Sequence, residues 1–146
     1  MRVVQALSLA VAISFGGLAS AEDHVTHATM YKMPYCDCCE GHAAYLRANG
    51  FDLEIKEVDD LAPLRRAAGV PEAMDGCHMI KTDGLVVEGH ISAPTIRKLL
   101  TERPKGVIGI SMPGMPSGVP GMPGTKQAPI DVYAFGSEKP TVYAVE

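Results

Sequence analysis

The sequence has no tryptophan, three phenylalanines and five tyrosines, so it lacks the aromatic platforms on which single-stranded nucleic acid stacks. It also lacks a surplus of positive charge. Lys and Arg number 13 against 17 Asp and Glu, a formal net charge of −4, which leaves little to release counterions from a phosphate backbone. Nucleic acid is therefore not an expected partner. No Gly-rich phosphate loop, Ser-His-Asp set or paired acids in a recognisable frame is present, so conventional catalysis has no carrier.

Long hydrophobic runs are missing as well, with one exception. Arg2 is followed by an uncharged stretch from Val3 to Leu18 and then Ala19-Ser20-Ala21, a short apolar segment closing on a small-x-small cleavage pattern. The run is shorter than the ~20 residues of a membrane span. Residues 1–21 are expected to be a signal peptide cut after Ala21, leaving 22–146 as one domain, periplasmic and without a membrane span.

Cysteine is scarce, four in 146 residues, and unevenly placed. Cys36, Cys38 and Cys39 crowd one segment and Cys77 stands apart. A stapling framework spreads its cysteines to close long loops, whereas crowding suits a metal cluster or a redox centre.

The periodicities predict an α/β order. Thr26 to Met33 suits a strand stopped by Pro34, and a helix from Cys38 or Cys39 to Asn49 ends at Gly50. Phe51, Leu53 and Ile55 alternate with charged residues as a half-buried strand. Asp60 caps a helix over Leu61 to Ala68, and Asp83-Gly84 joins strands Met79 to Thr82 and Leu85 to Glu88. Ser92 caps a third helix, with Ile96, Leu99 and Leu100 inward, that ends at Arg103-Pro104. This β-α-β-α-β-β-α order is that of a thioredoxin-like domain. A Met/Pro/Gly-rich loop at 111–126 cannot hold a regular element, and Ile130 to Phe135 with Thr141 to Val145 forms a C-terminal β-hairpin.

At a strand-to-helix junction, free N–H groups and the helix dipole favour thiolates. Cys36 and Cys39 lie one turn apart, Cys38 adds a third sulfur, and Cys77, just before a strand that abuts the junction, supplies a fourth. Thiolates select Cu(I) or zinc. Adjacent Cys38 and Cys39 reach one tetrahedral zinc only with strain, which favours a polynuclear Cu(I) cluster and leaves a zinc site as an alternative. Cys36-x-x-Cys39 is also the spacing of a thiol-disulfide oxidoreductase, with Cys77 as resolving thiol.

Further ligand candidates are weaker. His78 follows Cys77, but adjacent strand side chains face opposite ways; His42 lies a turn beyond Cys38, where a solvated helix histidine is the common case. His90 reads as a turn or capping residue. The thioethers of Met112, Met115 and Met122 suit Cu(I). If cleavage leaves Glu22-Asp23-His24 at the N-terminus, His24 can complete a planar Cu(II) site.

Tyr35-Cys-Asp-Cys-Cys-Glu-Gly-His42, Leu46-Arg-Ala-Asn-Gly-Phe51, Gly76-Cys-His78, Val87-Glu-Gly-His90 and the Met-Pro-Gly run resemble the CopG-type copper-resistance family over residues 27–146. The resemblance implies a thioredoxin-like periplasmic protein of copper resistance and homeostasis. Cys36, Cys38, Cys39 and Cys77 match the family's ligands to a multi-copper thiolate cluster that can change redox state. A copper-binding or redox protein, rather than a conventional enzyme, is implied, with copper ions and periplasmic copper-efflux or copper-carrier proteins as partners.

Overall fold

The computed structural model describes residues 25–146; the expected signal peptide and His24 lie outside them. The chain forms strands β1 (Thr26–Lys32) and β2 (Phe51–Glu57), β3 (Met79–Thr82) and β4 (Leu85–Glu88), β5 (Val107–Ser111), and β6 (Asp131–Gly136) and β7 (Thr141–Val145). Helices α1 (Asp37–Ala48), α2 (Ala62–Ala67) and α3 (Ala93–Glu102) connect them. The fold is α/β, as the periodicities predict. Among the described residues no helix is long and apolar enough to cross a membrane.

All seven strands share one sheet in the order β2-β1-β3-β4-β5-β6-β7. β1 and β2 are parallel across the α1 crossover, with Thr26 opposite Phe51 and Lys32 opposite Glu57. β3 runs antiparallel to both β1 and β4. The β3–β4 turn puts Asp83 and Gly84 at φ 48° and 78°, the paired left-handed geometry that Asp-Gly supports in a two-residue hairpin.

Alternation across the pleat gives the sheet two buried faces. Met30, Ile80, Val87 and Ile110 join α1 and α3 through Leu46, Ile96 and Leu99. Met79, Val86 and Phe135 face the opposite way, against Leu61 and Val70, with Leu64 and Ala68 of the α2 segment beside them. Every residue of β4 is accordingly buried, as expected of a strand covered on both sides.

One expectation needs correction. β5 was not foreseen, because Val107-Ile-Gly-Ile-Ser is short and carries Gly109 at its centre. That glycine is required by close packing: a Cβ there would run into Val86 O and the Phe135 ring. β5 pairs parallel with β4 and antiparallel with β6, so the C-terminal hairpin extends the main sheet. Ser92 is the N-cap residue of α3, as expected, but its side chain makes no bond to the helix amides and its hydroxyl donates to Glu146 Oε1 at 2.7 Å. The carboxylate, acting from a distant segment, also accepts Ser92 N–H at 3.1 Å.

The Met/Pro/Gly-rich segment has no regular element, as its composition requires, yet it is seated. Met112 and Val119 are buried, and Met112 N–H donates to Glu88 O at 3.0 Å. Gly121, at φ 81°, lies directly on α1, where a Cβ would strike His42 N and Cys38 O. Replacing Gly121 with alanine combines left-handed strain with that collision. The expected loss is about 2 kcal/mol or more in thermal or denaturant unfolding; an unchanged midpoint would mean that the loop does not rest on α1.

Candidate metal centre

Pro34 follows β1, and Tyr35 turns the chain at φ 59°. This places Cys36 at the N-cap of α1, with Cys38 and Cys39 in its first turn. Cys36 and Cys39 are joined as a disulfide, with Cα atoms 5.3 Å apart, and Cys38 and Cys77 are free.

Cys77 is the hub. Its Sγ lies 3.4 Å from the sulfurs of Cys36, Cys38 and Cys39, and Cys36 and Cys38 are 3.5 Å apart. All four sulfurs fall within 4.8 Å of one another. Ligands at the ~2.3 Å metal–sulfur distance of a tetrahedral thiolate site stand about 3.8 Å from each other. Once the disulfide is reduced, small side-chain shifts therefore suffice to surround a soft ion.

A clamp holds the Gly76-Cys77 turn in place. Glu88, fully buried at the end of β4, accepts Gly76 N–H at 3.0 Å and the single Arg65 Nε–H, shared between its two oxygens at 3.1 Å each, while Arg65 Nη2 donates to Oε2 at 2.9 Å. Arg65 Nη2 also donates to Gly76 O at 2.6 Å. The Cα of Gly76 rests against the backbone of Glu88 and Gly89, leaving no room for a Cβ. Burial pushes the Glu88 carboxyl upward, and Arg65 and the Gly76 amide oppose it.

Behind Cys77 lie three buried histidines, His42, His78 and His90, with ring centroids 4.8 to 5.0 Å apart. His42 Nε2 is 2.9 Å from Ile91 O, and its Nδ1 is 2.8 Å from His78 Nε2. His90 Nδ1 is 2.7 Å from Pro120 O in the Met/Pro/Gly loop. A ligand atom from each of Cys77, His78 and His90 lies within 4.8 Å of the other two.

A family described as protein of unknown function, DUF411, matches residues 74–122, the segment that carries Cys77, His78, His90 and much of the loop. No curated protein matches. A solved structure of copper resistance protein CopG, form 2, is 32% identical, with a TM-score of 0.76 over 83% of this chain and 98% of that one. Form 1 is 33% identical, with a TM-score of 0.75 over 82% and 96%. The chain belongs to the CopG family.

In this CopG-family chain the four cysteines meet where the topology brings β1, α1 and the segment before β3 together. His78 was expected to face away from Cys77 as its strand neighbour. β3 begins only at Met79, so the strand rule does not apply, and the two residues share a site. His42, expected in solvent, is buried: Ile91 O, the rings of His78 and His90 and Gly121 of the loop pack around it. Both of its nitrogens are hydrogen-bonded, so it orients His78. His90, read as a turn residue, stands beside them; its Glu-Gly-His signal was visible but could not reveal burial. Met112 lies in the core, Met122 is half-buried and Met115 is 63% exposed.

Burial raises the Cys77 thiol pKa, the Cys38 sulfur adds to the rise, and Arg65 opposes it. Burial lowers all three histidines, His42 to about 4. A depressed histidine is neutral when folded and takes up a proton more readily when unfolded. Its contribution is therefore complete above pH 6.5 and lost as pH falls toward 4. For His42 this amounts to about 3 kcal/mol. The metal-free protein should accordingly lose thermal stability between pH 6.5 and 4, and a midpoint flat across that window would show that these imidazoles are not buried as neutral groups.

Proposed function

We propose that the protein is an exported, periplasmic copper-binding protein of copper resistance and homeostasis that holds Cu(I) in a polynuclear thiolate cluster of Cys36, Cys38, Cys39 and Cys77. The observation that carries this is the single hub. One sulfur from a separate segment stands 3.4 Å from three others, and Cu(I), which accepts two or three sulfurs with bridging, suits such a centre better than one closed zinc tetrahedron. The two solved forms of copper resistance protein CopG, similar in fold, support it. Export rests on the leader, and the parallel β1–β2 pair with the antiparallel β3–β4 hairpin suits a thioredoxin-like unit extended by β5 to β7.

A bonded sulfur pair is a poor ligand, so the site is armed when an external dithiol reductant delivers two electrons and two protons to the Cys36–Cys39 disulfide, leaving two thiols here and a disulfide on the reductant. Cu(I) titration without oxygen should therefore load several ions per chain of fully reduced protein and far fewer of the disulfide form. Equal uptake by both forms, or none by the reduced one, contradicts the proposal.

The disulfide also favours a second reading, thiol-disulfide exchange. Cys77 Sγ lies 3.4 Å from both bonded sulfurs, so its thiolate can attack one and release the other through a mixed intramolecular disulfide. Insulin reduction that needs no metal and is lost in Cys36→Ser would favour this reading. Copper efflux or carrier proteins are the proposed partners of the copper function.

A further inference from the structure

Resting on the copper reading above, we propose that Cys77 Sγ, His78 Nδ1 and His90 Nε2 form a second bay of the same centre. It binds one copper ion through one thiolate and two imidazoles, with Cys77 bridging to the all-sulfur side.

Hydrogen-bond accounting selects the atoms. Ile91 O can only accept, so His42 Nε2 carries its proton and, in the neutral ring, His42 Nδ1 offers a lone pair. That lone pair is 2.8 Å from His78 Nε2, which must be the donor. The second nitrogen of His78, Nδ1, is then an unprotonated lone pair. Pro120 O likewise can only accept, at 2.7 Å from His90 Nδ1, so His90 Nε2 is unprotonated too.

His78 Nδ1 and His90 Nε2 are the buried side-chain nitrogens and oxygens without a hydrogen-bond partner among the described residues. A buried polar atom left unpaired costs about 1–3 kcal/mol. Two such atoms, both lone pairs, lie on residues grouped with the Cys77 thiol within 4.8 Å. A cation answers all three. Two imidazoles and a thiolate suit copper in either oxidation state, and each ring has the carbonyl or imidazole partner that usually orients a metal-bound histidine.

Copper-edge X-ray absorption on reduced protein loaded anaerobically with Cu(I) is the test. The expected spectrum shows imidazole scattering alongside a dominant sulfur shell. Two variants remove one lone pair each while keeping the neighbouring bond: His78→Gln can still donate to His42, and His90→Asn can still donate to Pro120. Each should lose about one ion per chain, and the imidazole signal should weaken while the sulfur shell is kept. A wild-type spectrum of sulfur alone with full copper loading overturns the second bay and leaves the thiolate cluster standing. Failure to load any copper overturns both.

Discussion

Exchanging Cys77 for serine should weaken Cu(I) binding by more than about 100-fold while leaving the fold intact. Loss of a residue that merely supports a ligand already costs about 10 to 100-fold in metal affinity, and Cys77 is the sulfur on which the other three converge at 3.4 Å. A hydroxyl is a hard donor with little affinity for Cu(I). The half-exposed position makes the exchange a mild structural change. Competition against a chromophoric Cu(I) chelator, with the far-ultraviolet spectrum as the folding control, measures the effect. Wild-type affinity in the variant would mean that Cys36, Cys38 and Cys39 form the site alone.

Replacing Glu88 with alanine should cost about 3 kcal/mol, because it strips the buried Arg65 guanidinium of its close partner and leaves it only the partly exposed Asp75 carboxylate, 3.5 Å away. The side chains of Arg65 and Glu88 are 11% and 0% exposed. Denaturant unfolding measures the loss, and a change below about 1 kcal/mol would show that Arg65 escapes to water. An apolar pair, Arg65→Met with Glu88→Leu, separates stability from placement. Apolar replacement of a buried ion pair is often neutral or stabilising, but it cannot bond Gly76 N–H or O. That double variant should recover the fold while its Cu(I) affinity stays about 10 to 100-fold down.

How far the sequence was legible depended on how local each signal was. The leading β-α-β-α-β-β-α order could be read because period-two and period-3.6 patterns, Gly50 after α1 and Asp83-Gly84 between β3 and β4 are local features. β5 could not: five residues with a central glycine look like a connection until Val86 and Phe135 are known to press on Gly109. At the centre, the four sulfurs were legible because Cys36-x-Cys38-Cys39 marks a helix start and Cys77 precedes a strand. The histidines and the clamp were not. Arg65 and Glu88 each look like ordinary surface charges in sequence, and only the packing of α2 against the end of β4 turns them inward. His42, His78 and His90 come from three separate elements, and their convergence depends on the loop that Gly121 seats on α1.

The most direct test of a four-sulfur site is cysteine footprinting. Protein reduced without oxygen is titrated with Cu(I) and pulsed with an alkylating reagent, and modification is then mapped residue by residue by mass spectrometry. The expected result is that Cys36, Cys38, Cys39 and Cys77 become protected together over the same range of copper. Protection of the first three with Cys77 modified at its metal-free rate would contradict a shared centre.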